Sequence, residues 1–347
     1  MKNIIICAAK TGGHIFPALG FAKEALKNNY KITFIGTNTD LEKKIFQQNE
    51  NIDFIKFKLD GFRGKSITQK LIFLIKLPLI FFQVISIIIS RKISSVVCFG
   101  GFITVPVGFA SVISLSKLYL HEQNSVVGSS NRLLSIFAKK MFTAFPVSKN
   151  KKYFFIGNPA NTQNKKAIDI KQNDNLNILV TGGSQGADFI NKHIPIALNT
   201  LNMKLNVIHQ CGLGKIQNVS KYNQAINASI SEFIDNLDKY IEWCDFAICR
   251  CGAGTLSQIS QKKRGMIMIP LSASIDNHQY FNAVFYEENN QGKIFQEKDS
   301  LESLSNLISK ITHEKIYQNW KKREPPIDHS RAASAMLSEI HKDNAAI

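Results

Sequence analysis

Short apolar runs rich in β-branched residues recur along this chain and alternate with longer stretches whose apolar positions return at helical spacing. The first cycle is Ile4-Ile5-Ile6-Cys7 followed by the stretch from Phe16 to Asn28. Continued in the same way, the pattern predicts strands at 3–8, 31–35, 54–57, 96–99, 118–121 and 141–144, with helices at 16–28, 40–48, 105–114 and 129–138. A polar run at 161–175 reads as a linker. The cycle then restarts, with strands predicted at 177–181, 205–210, 230–232, 246–249 and 266–269 and a last helix over 328–342. Alternation of strand and helix marks a parallel sheet covered on both faces. The expected fold is α/β, with two Rossmann-like, doubly wound domains at 1–158 and 159–327 and a segment 328–347 that packs back on the first.

Twice the strand pattern breaks into Thr-Gly-Gly, at Thr11-Gly12-Gly13-His14 and at Thr181-Gly182-Gly183-Ser184-Gln185-Gly186. The pairing predicts two similar lobes, each opening with a strand and a glycine turn. Glycine at such a junction lets backbone N–H groups approach a ligand, and a helix N-terminus there favours negative charge, which suits a diphosphate. Neither run is the G-x-G-x-x-G fingerprint or a P-loop, which argues against an ATPase. Open α/β sheets bind ligands beyond the carboxyl ends of their strands, so the two lobes are expected to face each other across a cleft.

Between Leu71 and Ile89 lie 19 residues of which 15 are aliphatic or aromatic, long enough to raise a membrane span. Lys76 and Pro78 interrupt it, and Gln69, Lys76, Gln83 and Ser90 recur every seven residues, on one side of a helix. Arg63, Lys65 and Lys70 precede it, and Arg91 and Lys92 follow. The reading is a lobe helix that also dips an apolar edge into a membrane surface; a wholly buried core helix and a true span are the alternatives. Charge adds to this picture. The net charge of +17 sits almost wholly in residues 1–158, which hold 22 Lys+Arg against 7 Asp+Glu. Such a lobe is drawn to a polyanion, nucleic acid or an anionic membrane, and an aliphatic segment favours the membrane over nucleic acid. Composition is otherwise average for a globular protein. The six cysteines form no C-x-x-C pair and read as reduced core thiols, and the short first apolar run is not a signal peptide.

Several clusters carry candidate chemistry. His14 stands at the mouth of the first glycine turn, where an imidazole can accept a proton from a hydroxyl. His121-Glu122-Gln123-Asn124 gathers four hydrogen-bonding side chains after a strand, a composition suited to a polyhydroxylated molecule. Arg250-Cys251-Gly252-Ala253-Gly254-Thr255 opens a helix and offers N–H groups to a phosphate. The run from Asp276 to Asn282 supplies amides for sugar hydroxyls.

With Gly61-Phe62-Arg63-Gly64-Lys65, Gly100-Gly101-Phe102, Ala144-Phe145-Pro146, Gly157-Asn158-Pro159, Glu232-Phe233-Ile234-Asp235 and Gln279-Tyr280, these motifs resemble, nearly end to end, the MurG family of glycosyltransferases, glycosyltransferase family 28. The resemblance implies the GT-B architecture and transfer of N-acetylglucosamine from UDP-N-acetylglucosamine to the C4 hydroxyl of undecaprenyl-linked muramyl-pentapeptide, in peptidoglycan synthesis. It implies one displacement with inversion, no metal or cofactor, and a peripheral place on the cytoplasmic face of the bacterial inner membrane. His14 is the expected base, with Glu122 the other candidate. Donor contacts carry over to Thr11, Gly12, Gly13, Asn124, Ser184, Ile234, Ala253, Gly254, Thr255, Leu256, Ser257, Gln258 and Gln279. Three positions depart from the family. Asn161 stands where the family has an arginine near the diphosphate, Gln258 where it has a glutamate for the ribose hydroxyls, and Ala9-Lys10 where it has a glycine pair. Asn161 is carried as a donor-site position all the same. A catalytically weakened sugar-nucleotide-binding scaffold is the competing expectation, and steeply salt-dependent DNA binding would mark a nucleic-acid binder.

Overall fold

The computed structural model describes residues 2–9, 11–59, 66–159, 175–183 and 185–345. The chain divides into two compact units, the first formed by Met1–Thr162 with Asp328–Ile347 and the second by Gln163–Ile327. The linker expected at 161–175 falls, up to residue 174, outside the described residues, as do Lys10, Arg63 and Lys65.

In the first unit the elements run β1 (Lys2–Cys7), α1 (Gly12–Lys27), β2 (Tyr30–Gly36), α2 (Asp40–Gln47), β3 (Asp53–Lys56), α3 (Ile67–Ser90), β4 (Ser95–Cys98), α4 (Thr104–Ile113), β5 (Lys117–Glu122), α5 (Ser129–Leu134), β6 (Lys140–Thr143) and β7 (Tyr153–Phe155). Among the described residues the sheet has seven strands in the order β3-β2-β1-β4-β5-β6-β7, all parallel. The chain reverses direction across the sheet between β1 and β4, so a crevice opens there at the carboxyl ends of the strands. Ile4, Ile5, Ile6 and Cys7 of β1 are fully buried because helices cover both faces, which explains an uninterrupted apolar run. One face packs Ile4, Ile6, Ile15 and Phe21, the other Ile5, Val84, Ile88 and Leu120. Thr39 and Glu42 form a reciprocal capping box that fixes the start of α2.

α3 buries Ile80, Val84 and Ile88 at helical spacing while Ile75, Leu79, Phe82 and Ile89 remain 59–66% exposed. It is therefore not a wholly buried core helix. No helix among the described residues is long and apolar enough to cross a membrane.

The second unit continues with β8 (Leu176–Thr181), α6 (Asp188–Asn199), β9 (Leu205–Gln210), β10 (Ile226–Ser231), α7 (Leu237–Trp243), β11 (Phe246–Arg250), α8 (Ala253–Gln261), β12 (Gly265–Ile269), α9 (His278–Glu288), β13 (Gly292–Ile294), α10 (Leu301–His313) and α11 (Ile316–Lys321). Its six described strands, in the order β10-β9-β8-β11-β12-β13, repeat the winding of the first unit and place a second switch point between β8 and β11. The final helix, α12 (Ala332–Ala345), lies in the first unit, where Met336, Leu337 and Ile340 enter the core beside α1. Lys140 bridges Glu339 and Asp343 at 2.8 and 3.0 Å, and Tyr119 donates to Asp343 at 3.1 Å.

The elements follow the hydrophobic pattern, with instructive differences. β7 and β13 are three residues each and escape notice because so short a strand carries no periodicity. α1 begins at Gly12 rather than near Phe16, so its glycines form the first helical turn. β5 runs from Lys117 to Glu122, one residue beyond the predicted strand at each end, so Glu122 belongs to the strand and not to the loop after it.

Candidate active site

The two Thr-Gly-Gly runs have different shapes. Thr11 is the extended N-cap of α1, and it makes no side-chain cap bond; no acidic residue stands in the first turn, so the positive end of the helix carries no built-in counter-charge. Thr181 is instead the last residue of β8, and Gly183 turns left-handed at φ +80° five residues before α6 begins. The Thr181 hydroxyl accepts from Gly183 N–H at 3.1 Å, while Gln210 donates to the Gly183 carbonyl at 2.9 Å. Gly186 and Gly212 then press backbone on backbone: a Cβ on Gly186 would lie 1.9 Å from the Cys211 carbonyl oxygen.

In the first unit His14 occupies the third position of α1, and its Nδ1 lies 2.8 Å from the Phe99 carbonyl oxygen. A carbonyl only accepts, so Nδ1 carries the proton and the lone pair falls on Nε2. Gly100, at φ +94°, makes room for the ring; a Cβ there would come within 2.9 Å of His14 Cε1. Glu122 is 2% exposed, and its two oxygens accept four bonds. Asn124 N–H and Nδ2 reach Oε1 at 3.1 and 3.3 Å, and Gly128 N–H and Asn131 Nδ2 both reach Oε2 at 2.9 Å. Gly128 is the N-cap of α5, so the carboxylate holds that helix start in place. His121 donates from Nε2 to the Gly157 carbonyl at 3.1 Å, and burial, reinforced by His14 and His329, pushes its pKa down to about 4. Of the four polar side chains in this cluster, three are thus turned inward, and Asn124 alone is only half buried.

In the second unit α8 starts directly after β11. Its N-cap, Gly252, provides no side-chain cap, and the first turn has no acidic residue. A Cβ on Gly252 or Gly254 would meet nothing within 4 Å, so the space over the first turn is open. Gly254, Thr255 and Gln258 are half-buried on one side, whereas Ala253, Leu256 and Ser257 are buried. The Ser257 hydroxyl donates to the Ala253 carbonyl at 2.7 Å. Arg250 also faces inward. It donates to the carbonyl of Ile269 at 3.2 Å and pairs with Glu297 at 2.5 Å. Burial alone would raise the Glu297 pKa, yet bonds from Arg250 and Ser272 outweigh it and the pKa is lowered. Gln279 Oε1 accepts from Leu271 N–H at 3.0 Å, and Asn282 donates to the Cys251 carbonyl at 3.1 Å, tying α9 to the head of α8. Ile234 is 9% exposed beyond β10.

The structure thus gathers Thr11, Gly12, Gly13, His14, Glu122 and Asn124 at the carboxyl edge of the first sheet, and Ile234, residues 253–258 and Gln279 around that of the second. Asn161 and Ser184 lie outside the described residues. Gln123 belongs to the polar cluster that the sequence marks, whereas Asn131 escapes a reading based on sequence alone. Each is 1% exposed and polar, and a hydrogen-bonding side chain directly after an apolar strand was the available signal for Gln123.

Comparison with known proteins gives these two sites a shared context. Residues 4–143 match the glycosyltransferase family 28 N-terminal domain, and residues 177–337 match the glycosyltransferase family 28 C-terminal domain. The chain is 36% identical, over 89% of each chain, to the UDP-N-acetylglucosamine–N-acetylmuramyl-(pentapeptide) pyrophosphoryl-undecaprenol N-acetylglucosamine transferase of Francisella philomiragia. It is 34% identical, over 91% of each chain, to the protein of the same name from Vesicomyosocius okutanii. The crystal structure of Acinetobacter baumannii MurG superposes with a TM-score of 0.79 at 26% identity, covering 99% of this chain and all of that one. The chain belongs to glycosyltransferase family 28.

Proposed function

We propose that this protein is an inverting glycosyltransferase that moves N-acetylglucosamine from UDP-N-acetylglucosamine to the C4 hydroxyl of undecaprenyl-pyrophosphoryl-muramyl-pentapeptide. The observation that carries the reading is the match in both halves to relatives that bear this activity in their names. The geometry supports the chemistry. The acceptor oxygen attacks the anomeric carbon and gives its proton to His14 Nε2, while the bond to the diphosphate breaks and UDP leaves with the electron pair. Glu122, the other candidate base, already accepts four N–H bonds, which favours His14 and leaves Glu122 to position Asn124 and α5.

The leaving diphosphate needs its growing charge met, and the uncapped first turn of α8, at Gly252, Gly254 and Thr255, supplies aligned N–H groups without a proton transfer. In this reading the donor is held by Thr11, Gly12, Gly13, Asn124, Asn161, Ser184, Ile234, Ala253, Gly254, Thr255, Gln258 and Gln279. Leu256 and Ser257 contribute through the helix they stabilise. Gln258 keeps one acceptor for a ribose hydroxyl.

The first unit rests on an anionic membrane surface. Support comes from the exposed apolar side of α3 and from a groove of about 500 Å³ where Leu115 and Phe137 adjoin Lys117, Lys139 and Lys152. Sedimentation with anionic and neutral vesicles separates the cases, and equal binding to both would remove the membrane assignment.

The decisive experiment is transfer of labelled N-acetylglucosamine from UDP-N-acetylglucosamine to the lipid-linked acceptor. Labelled product is expected. Intact UDP binding with no transfer would overturn the enzyme in favour of a sugar-nucleotide-binding scaffold.

A further inference from the structure

We propose that Gln123 is a positioning residue that fixes the tautomer of His14 by pinning the Phe99 carbonyl they share; the inference rests on His14 being the base. Phe99 follows β4, and its own N–H is held by the Cys7 carbonyl at 2.8 Å. Beyond it come Gly100 and Gly101 at φ +94° and +89°, so the peptide that carries the Phe99 oxygen leads into two residues with wide conformational freedom. Two donors converge on that oxygen, His14 Nδ1–H at 2.8 Å and the side-chain amide of Gln123. A carbonyl has two lone pairs, and this pair of bonds fills them.

The fork has a chemical consequence. Whichever ring nitrogen of His14 faces the carbonyl must be protonated, so the orientation of the carbonyl decides which nitrogen is left to accept a proton. Gln123 is 1% exposed, and no donor among the described residues meets its buried Oε1. The geometry ties its one described bond to the carbonyl that orients His14.

The test reads the tautomer directly, by long-range ¹H–¹⁵N correlation on the full chain labelled at histidine ring nitrogens, with His14 assigned from the spectrum of His14→Ala. The wild-type ring is expected as Nδ1–H, and Gln123→Met, which keeps the volume but removes the donor, is expected to shift it toward Nε2–H. kcat should fall about ten-fold, the worth of one hydrogen bond, with KM for UDP-N-acetylglucosamine nearly unchanged. In a His14→Ala background the same substitution should cost nothing further. A wild-type ring protonated on Nε2, or a Gln123→Met ring still on Nδ1, overturns the proposal; the wild-type spectrum decides even if the variant does not fold. A shifted tautomer with unchanged kcat would uphold the positioning role and refute His14 as the base.

Discussion

The two units share one winding and use their glycines for opposite purposes. In the first, Gly100 clears space for a side chain, the imidazole of His14, whose ring is held by a backbone carbonyl. In the second, Gly186 and Gly212 let backbone press on backbone, and Gly252 and Gly254 leave the head of α8 open. The first unit therefore arranges a titratable side chain, and the second presents main-chain dipoles. Proton transfer needs an adaptable ring with a defined tautomer, whereas charge stabilisation is best served by groups that do not reorganise.

The sharpest way to break the comparison is to remove the side chain on one side. His14→Ala should lower kcat by about 10²–10⁴-fold, the usual worth of a positioned base. UDP affinity, measured by calorimetry, should stay within a few-fold because the diphosphate is assigned to the second unit. A kcat near wild type, or a parallel loss of UDP binding, would show that the labour is not divided this way. The matching insult to the second unit is Gly186→Ala. Its Cβ would lie 1.9 Å from the Cys211 carbonyl oxygen at φ +67°, so a loss of about 2–5 kcal/mol is expected from overpacking and strain. Trp243 and Trp320 both belong to the second unit, so their fluorescence follows its unfolding alone. An unchanged fluorescence transition would refute the tight glycine contact.

Much of this division is visible in the sequence, and what is hidden has physical reasons. Buried parallel strands such as Ile4-Ile5-Ile6 announce themselves because both faces are apolar, so the α/β class follows from the pattern alone. The family motifs mark where the strand ends lie. The repeated Thr-Gly-Gly, by contrast, suggests two equal turns, and the structure makes one a helix start and the other a left-handed loop. Glycine permits both shapes, and the residues downstream decide between them: Ala18 and Phe21 continue an apolar helical face after His14, while Gly186 breaks the chain again after Gly183. The polar cluster at His121 resembles a ligand-facing loop in the sequence. Its inward turn depends on partners at Gly128, Asn131 and Gly157, which no local pattern reveals.

Acid should sharpen the contrast between the units. Burial lowers the pKa of His121 and His329 in the first unit to about 4, with Asp328 pulling His329 partly back, and burial does the same to His209 in the second. A histidine depressed from 6.5 is neutral when folded, and the unfolded chain binds the extra proton between pH 6.5 and 4. Stability is therefore full above pH 6.5, falls as pH drops toward 4, and is flat below, by at most about 1.4 kcal/mol per pH unit for each group. Two such groups against one make the first unit the more acid-sensitive. Asp238 widens the gap, because burial raises its pKa and proton uptake then favours the folded second unit. Between pH 6.5 and 5, circular dichroism should lose amplitude before tryptophan fluorescence changes. Coincident transitions would mean that the units melt as one.

The smallest effect separates a glycine that the fold requires from one that a ligand requires. Gly254 lies in the first turn of α8, has no positive φ, and an added Cβ would touch nothing within 4 Å. Gly254→Ala should leave stability unchanged or raise it by less than about 1 kcal/mol, since alanine is the better helix former. If the diphosphate lies against this turn, the same methyl group stands between the ligand and the N–H groups, so KM for UDP-N-acetylglucosamine should rise while the melting temperature does not fall. Gly100→Ala in the first unit should do the reverse, lowering kcat by displacing His14 while UDP affinity holds. A Gly254→Ala enzyme with unaltered KM would mean that the open space over α8 is not where the donor binds, and the assignment of main-chain dipoles to the leaving group would fail with it.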